Sequence, residues 1–213
     1  MKPIQIIILA ALSLWTIHTQ AAMPDYRASP DPASRERGAL LFMDNCASCH
    51  SLKYLRYEQL HQDLGLTPAQ VKSYEGLTQS TGNSPISAQL TPELTQKMFG
   101  MVPPDLSLIS HARNPDWVYR YMLSFYPDSS RPSGFNNHVF HDVAMPNVLA
   151  PLQAQVGDQV FASKIADLVN FLQFAADPKA DERHLYGLWV LLFLIIFLIP
   201  VYLLNREYWK QIR

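Results

Sequence analysis

The stretch DNCASCHSLKY, residues 44 to 54, contains both cysteines of the 213-residue chain, Cys46 and Cys49, and His50 directly follows the second one. Two thiols and an imidazole this close together can form a redox-active thiol pair, supply part of a zinc site, or attach a haem covalently. These three kinds of site need different surroundings, so the rest of the chain has to decide between them.

A zinc site and a thiol redox pair both fit the surrounding sequence poorly. A structural zinc ion needs four ligands, usually from two ligand pairs. The chain has no second cysteine pair, although His138 and His141 have a spacing that could supply two ligands. A thiol redox motif expects a preceding strand in a βαβ unit, whereas the sequence before Cys46 predicts a helix. Both alternatives are disfavoured but stay open.

Covalent haem attachment accounts for the spacing of the motif. Two thiols three positions apart on a turn can add to the two vinyl groups of one porphyrin, and the adjoining histidine then lies under the ring. A covalent macrocycle would also act as the core of an exported domain with many loops. We therefore predict one haem c, bound through Cys46 and Cys49, with His50 as an iron ligand.

The second axial ligand determines whether the iron carries electrons or binds small molecules. Methionine opposite histidine is usual in electron carriers and raises the potential. Met145 precedes Pro146, which would stiffen a long loop before the last soluble helix. Position in the chain favours Met145 over Met101, with a histidine as the third possibility. Met98 and Met122 lie on predicted helices and are expected in the core.

The two ends of the chain predict an exported protein with a membrane anchor. Residues 1–22 combine a basic start, an apolar run too short to span a bilayer and small residues near a cleavage position, which is typical of a secretory signal. An uncleaved N-terminal anchor is the alternative. Residues 185–204 are apolar, uncharged and long enough to cross a membrane. Arg206, Lys210 and Arg213 follow, so the positive-inside rule predicts a cytoplasmic C-terminus.

The chain therefore divides into four predicted parts. These are a cleavable signal peptide at 1–22, a periplasmic haem domain at 23–184, a transmembrane helix at 185–204 and a cytoplasmic tail at 205–213. The formal net charge is −1, so nothing suggests binding to nucleic acid.

Prolines after capping residues predict helix starts at Asp31-Pro32, Thr67-Pro68, Thr91-Pro92 and Asn114-Pro115. Apolar residues from Val160 to Leu172 recur at helical spacing, with Asp158 as the expected N-cap. Residues 73–87 and 127–151 are predicted as long loops, and loops of this length are unusual unless they wrap something. No segment shows the alternation typical of strands, so the predicted fold class is all-α.

Four segments taken together resemble the cytochrome c1 family. They are RGALLFMDNCASCHSLKYLRYEQL around the cysteines, VPPDLSLISHAR at residues 102–113, VFHDVAMPNVL around Met145, and the terminal helix that ends in NREYWKQIR. The resemblance runs from about residue 25 to the C-terminus. It implies a class I cytochrome c-like haem domain with long loops, followed by one C-terminal transmembrane helix. The segment after Asp31 and the segment from Phe161 to Leu172 would be its crossing first and last helices.

The resemblance also implies roles for particular residues. Met145 would be the second axial ligand, and Arg113 would pair with a haem propionate. The propionate pairing is chemically reasonable, because a carboxylate in a crevice of low dielectric constant needs a bidentate cation. Trp117 departs from the tyrosine that the family usually has near the propionates, so a phenolic hydrogen bond at that position is in doubt.

The implied function is electron transfer within a cytochrome bc1 complex of the inner membrane. The chain would take single electrons from the Rieske iron–sulfur protein and pass them through haem c to a soluble cytochrome c or equivalent acceptor, beside cytochrome b in a dimeric complex. It would not be catalytic alone. The alternatives are another membrane-anchored monohaem c-type cytochrome, such as a terminal-oxidase subunit, and a haem enzyme or gas sensor with an open iron.

Overall fold

The computed structural model describes residues 26–29 and 31–210, so the predicted signal peptide lies outside the described residues. The helices of the described chain are α1 Pro32–Asn45, α2 Tyr57–Gln62, α3 Pro68–Thr78, α4 Pro92–Phe99, α5 Ile109–Ala112, α6 Pro115–Leu123, α7 Ala150–Val156, α8 Asp158–Ala176 and α9 Ala180–Lys210. The strands are β1 Leu52–Arg56, β2 Pro85–Ile86, β3 Phe125–Pro127 and β4 Phe135–Asn137. Helices dominate, as the sequence predicts.

Two small antiparallel sheets correct the expectation that strands are absent. β1 pairs with β2, and β3 pairs with β4. Because the strands are only two to five residues long, they give no alternation that a sequence pattern could reveal. β1 follows the Cys-x-x-Cys-His motif instead of preceding it, so its presence does not restore the thiol redox alternative.

The four helix starts predicted at prolines are confirmed. In α1, α3, α4 and α6 a proline lies in the first turn. The side chain before it accepts a hydrogen bond from a backbone amide of that turn, in each case from the expected residue: Asp31, Thr67, Thr91 and Asn114. Thr67 and Gln70 also form the predicted capping box. These short polar signals are local, which explains why the sequence alone reveals them.

The predicted start of α8 is wrong by one residue. Gly157, with φ 77°, is the N-cap, and Asp158 is the first helical residue, so Asp158 does not cap the helix. Val160 is 50% exposed, although it was expected in the apolar stripe. Phe161 and Ile165 occupy the buried side, and Val160 points about 100° away from Phe161 around the helix.

The predicted loop at 73–87 is shorter than expected, because α3 continues to Thr78 and β2 lies at Pro85–Ile86. Only Val71 of α3 is buried, so the helix has no apolar stripe that could have indicated it. The predicted loop at 127–151 is mostly confirmed. It contains β4 but no other regular element between β3 and α7.

The core of the domain is built on close contact between α1 and α8. Gly38 allows this contact, since a Cβ placed on it would stand 2.0 Å from the carbonyl oxygen of Asp167 and 2.8 Å from Cβ of Phe171. One turn further along α1, the rings of Phe42 and Phe171 pack with centroids 5.5 Å apart. The two helices expected to pack across each other therefore do so.

A polar cluster beside Gly38 fixes the pairing of the two helices. The carboxylate of Asp167 accepts hydrogen bonds from Ser34 Oγ at 2.6 Å and from Arg37 Nε and Nη2 at 2.7 and 2.9 Å. Asn170 Nδ2 donates to the same Ser34 oxygen at 2.7 Å. Asp167 is 9% exposed, so its charge is buried but fully partnered, which is the condition under which such a group is tolerated.

The C-terminal helix is longer than the predicted span. α9 runs from Ala180 to Lys210, and its segment Glu182–Lys210 is long and apolar enough to cross a membrane. The large apolar side chains of this segment are exposed, which suits contact with lipid. Pro200 lies inside the helix without ending it. Polar and charged residues on both sides of the apolar run at 185–204 are also helical, so the helix is longer than that run.

We expect Gly38→Val to lower the stability of the domain by about 3 kcal/mol, the upper end of the usual cost of overpacking, because backbone atoms stand in the way of the added side chain. The matched control is Gly76→Ala in α3, where nothing lies within 4 Å of the added Cβ. It should be neutral or stabilising by about 0.5–1 kcal/mol. Denaturant unfolding of the two purified variants measures the difference, and equal midpoints would contradict the close contact of α1 with α8.

Candidate functional site

Cys46, Cys49 and His50 form a tight turn that continues directly from α1. The amide of Cys46 donates to the carbonyl of Phe42 at 2.8 Å, and the amides of Cys49 and His50 donate to the carbonyl of Cys46 at 3.0 and 2.8 Å. Both cysteines are free thiols. The predicted motif is thus a single compact turn whose orientation is set by α1, and through α1 by α8.

The environment of the thiols argues against a redox pair. Burial raises the pKa of the Cys46 thiol to about 12, whereas a reactive cysteine needs a lowered pKa. The zinc alternative is also weakened. The ring of His138 stacks on Tyr126 with centroids 4.2 Å apart. Among residues 26–29 and 31–210, no group of three or more histidine, cysteine, aspartate or glutamate side chains could hold a metal ion.

His50 is oriented by a backbone carbonyl. Its Nδ1 lies 2.8 Å from the carbonyl oxygen of Pro104. Since a carbonyl can only accept, Nδ1 carries the proton and donates, which leaves the lone pair of Nε2 for a metal. His50 is 9% exposed, and burial lowers its pKa below the ordinary value for histidine. A neutral imidazole with one nitrogen fixed is the form in which histidine binds a metal.

The segment around Pro104 is attached to the chain that follows His50. Leu106 N donates to the carbonyl of Ser51 at 2.9 Å, and the carboxylate of Asp105 accepts from Lys53 N at 3.0 Å. These bonds hold the Pro-Pro-Asp-Leu-Ser segment alongside β1. The carbonyl that orients His50 is therefore a fixed acceptor.

Met145 lies half-buried against the edge of the core. The hydroxyl of Tyr121 donates a hydrogen bond to its sulfur, with Oη and Sδ 3.4 Å apart. Met101, the rival ligand by position, is 46% exposed. Met122 is buried as expected, but Met98 is 56% exposed and not in the core, because Thr95 is the buried residue of α4.

The loop before Met145 is held by an arginine that the sequence did not indicate. The guanidinium of Arg131 donates to the carboxylate of Asp142 at 3.0 Å, to the carbonyl of Asp142 at 2.7 Å and to that of Val143 at 3.4 Å. Asp142 has φ 60°, in the left-handed region that non-glycine residues rarely adopt. Arg131 thus stabilises an unfavourable backbone conformation three residues before the thioether.

Two buried asparagines connect this loop to α6. Asn137 Nδ2 donates to the carbonyl of Tyr121 at 2.7 Å, while its Oδ1 accepts from the amides of Val139 and Phe140. Asn136 Oδ1 accepts from the amide of Asp142 at 3.0 Å. A sequence pattern cannot reveal this role, since two asparagines shortly after a glycine predict an exposed turn.

Arg113 directly follows α5 and is exposed. It begins a column of stacked side chains that continues along α6. Its guanidinium lies 4.9 Å from the centroid of the Trp117 ring. The Trp117 ring stacks on Tyr121 at 5.2 Å with an interplanar angle of 10°. The column Arg113–Trp117–Tyr121 therefore ends at the sulfur of Met145. Trp117 offers no phenolic hydroxyl, but Tyr121, one turn further along α6, does.

These donors fit a covalently attached haem. Two free thiols share one turn, a neutral imidazole has one nitrogen available, and a thioether lies in a held loop. Large apolar side chains within a few residues of Pro104 or Met145 in the sequence are exposed, namely Met101, Val102, Leu108, Phe140 and Val148. A porphyrin is a ligand whose apolar faces such side chains could cover.

The chain matches the family described as "Cytochrome C1 family" over residues 25–212. The cytochrome c1 of Allochromatium vinosum is 37% identical over 92% of this chain and 90% of its own length. The ammonia monooxygenase gamma subunit of Nitrosomonas europaea is 36% identical over 85% of this chain and 85% of its own length. A chain of a solved structure titled "Hyperthermophilic respiratory Complex III" covers 99% of this chain with 98% of its own, at 18% identity and a TM-score of 0.43.

We expect Arg131→Gln to destabilise the conformation of the loop that carries Met145. The ion pair with Asp142 is partly exposed, so its loss should cost about 1 kcal/mol. At a haem iron that binds Met145, as the sequence predicts, added imidazole should then replace the methionine with roughly fivefold higher affinity, which an optical titration measures. Arg27→Gln, at an exposed arginine near the N-terminus, is the control. Equal imidazole affinities in the two variants would contradict the holding role of Arg131.

Proposed function

The chain belongs to the cytochrome c1 family, and we propose on that premise that it is the electron-transfer subunit of a cytochrome bc1 complex. It takes single electrons from a Rieske iron–sulfur protein and passes them to a soluble cytochrome c or an equivalent acceptor. The observation that carries this proposal is the pair of neutral donors, His50 and Met145, each oriented by a hydrogen bond of its own. Two held ligands suit an iron that exchanges electrons and binds no substrate.

Proteins of this family carry one covalently bound haem c, and the chain has two cysteines to attach it. Cys46 and Cys49 would hold it through two thioether bonds, with His50 and Met145 as the axial ligands. Bound haem c supplies reversible one-electron oxidation and reduction at its iron. The chain supplies attachment, orientation and burial around it.

The residues of this chain would keep both ligands in place when the charge of a bound iron changes. The Pro104 carbonyl fixes the tautomer and ring direction of His50. Arg131 and Asn136 fix the backbone before Met145. Because these two side chains are already positioned, they would rearrange little when a bound haem gains or loses one electron. The same rigidity disfavours displacement of Met145 by a small molecule.

Arg113 is proposed as the partner of a haem propionate. Its guanidinium is exposed at one end of the column that reaches Met145, so it lies close to the proposed haem site while its donors stay accessible. A guanidinium can bind a carboxylate through two parallel hydrogen bonds. Its contact with the Trp117 ring limits the side chain to few conformations, which favours such pairing.

The proposed topology follows from the two ends of the chain. The signal at 1–22 is removed, the haem domain at 23–184 lies in the periplasm, residues 185–204 cross the inner membrane, and the tail at 205–213 is cytoplasmic. Support for this comes from the apolar run in α9 and from the basic residues that follow that run. The anchor keeps the domain beside cytochrome b in a complex that we propose to be dimeric.

Purification of the full chain through a tag after Arg213 tests the proposed function. Cytochrome b and a Rieske protein should co-purify in equal amounts, and quinol should then reduce the haem. Because a relative is named as a subunit of ammonia monooxygenase, the co-purifying subunits also decide between assemblies. Recovery of monooxygenase or terminal-oxidase subunits in place of cytochrome b would overturn the proposal.

We expect Met145→Leu to keep the covalent haem but to lower the reduction potential strongly, because leucine offers no donor to the iron. Carbon monoxide should then bind the reduced protein. A potentiometric titration with a carbon monoxide difference spectrum measures both effects. Met101→Leu is the matched control and should change neither quantity. If the two variants exchange behaviours, Met101 is the ligand and Met145 is not.

A further inference from the structure

The hydroxyl of Tyr121 has a partner that is unusual for a tyrosine, the thioether sulfur of Met145, with Oη and Sδ 3.4 Å apart. A thioether sulfur has no hydrogen to donate, so the phenol is the donor and the sulfur the acceptor. The sulfur carries two lone pairs, so one can bind a metal while the other accepts this bond. The contact is therefore compatible with Met145 as an axial ligand.

The phenol ring is held firmly enough for the contact to persist. Trp117 stacks on one side at 5.2 Å, and Phe125 packs edge-on with centroids 5.2 Å apart and an interplanar angle of 71°. The backbone of Tyr121 is fixed as well, since its carbonyl accepts from Asn137 Nδ2 at 2.7 Å. Few rotamers remain open to the side chain, so little entropy is lost in making the bond.

The acceptor is fixed by neighbouring contacts. Asn136 and Arg131 hold Asp142, three residues before Met145. Asn136 and Asn137 are consecutive residues of β4, so one short strand fixes both the loop with the sulfur and the helix with the hydroxyl. The distance between donor and acceptor is thus set by the fold. A phenol is protonated at neutral pH, so the hydroxyl has a hydrogen to donate.

We propose that Tyr121 is a positioning residue of the electron-transfer site, whose hydrogen bond to the Met145 sulfur raises the reduction potential of the iron. This inference rests on the proposed function, in which Met145 is an axial ligand. The hydroxyl hydrogen carries a partial positive charge. It withdraws electron density from the sulfur and so weakens its donation to oxidised iron. The same charge favours the reduced site, which holds one more electron.

The test compares Tyr121→Phe with the parent chain in the purified complex. Phenylalanine keeps the ring contacts with Trp117 and Phe125 and removes only the hydroxyl. The equilibrium constant for reduction should fall roughly threefold to tenfold, which is about 30–60 mV for a one-electron couple. The near-infrared band of methionine-bound iron should persist, shifted in position. Tyr119→Phe is the matched control, because the Tyr119 ring lies on the same helix but packs against Tyr26. The reduction potential of this variant should equal that of the parent chain.

A second measurement strengthens the donor instead of removing it. Biosynthetic replacement of tyrosine by 3-fluorotyrosine makes the phenol more acidic and should raise the potential of the parent chain. In the Tyr121→Phe background the same labelling should leave the potential unchanged. This comparison isolates one hydroxyl from the effects of labelling every other tyrosine.

The outcomes distinguish this inference from the proposed function. An unchanged potential in Tyr121→Phe, with the methionine band intact, overturns the role of Tyr121 and leaves the electron carrier standing. Loss of the band in Tyr121→Phe also overturns it, since the residue would then be needed for ligation as such and not for tuning. Retention of the band in Met145→Leu overturns the ligand assignment, and the inference falls with it.

Discussion

The approach of α1 to α8 at Gly38 is the constraint on which the rest of the structure depends. A side chain at this position would meet the backbone of Asp167, so the two helices can pack this closely only with glycine. The buried Asp167 then fixes the register through Ser34 and Arg37. Because α1 runs directly into the turn with Cys46, the geometry of this contact sets where the thiols and His50 lie.

The two proposed axial donors are held by separate parts of the fold. His50 belongs to the turn after α1 and is oriented by the Pro104 carbonyl, while Met145 belongs to a loop fixed by Arg131 and β4. This division means that a metal bound between them joins two regions far apart in the sequence. It also means that the proposed action of Tyr121 on the sulfur does not pass through the histidine.

The sequence revealed those features whose chemistry is local. Prolines after capping residues identified helix starts, and the Cys-x-x-Cys-His spacing predicted a haem-attachment turn where the structure has one compact turn. The contacts that hold Met145 escaped detection, because Arg131 and Asn136 act through partners that only the folded loop brings near. Aspartate often serves as a cap, which favours Asp158 from the sequence, whereas Gly157, the single residue between α7 and α8, takes that position with a φ of 77°.

The optical spectrum of the full-length protein in detergent tests the central claim, an iron closed by histidine and methionine, most directly. The oxidised protein should be low-spin with a near-infrared methionine–iron band, and the reduced protein should not change on exposure to carbon monoxide. A high-spin spectrum without that band, or a carbon monoxide complex formed by the native protein, would contradict a closed His50–Met145 site and with it the assignment of this chain as an electron carrier.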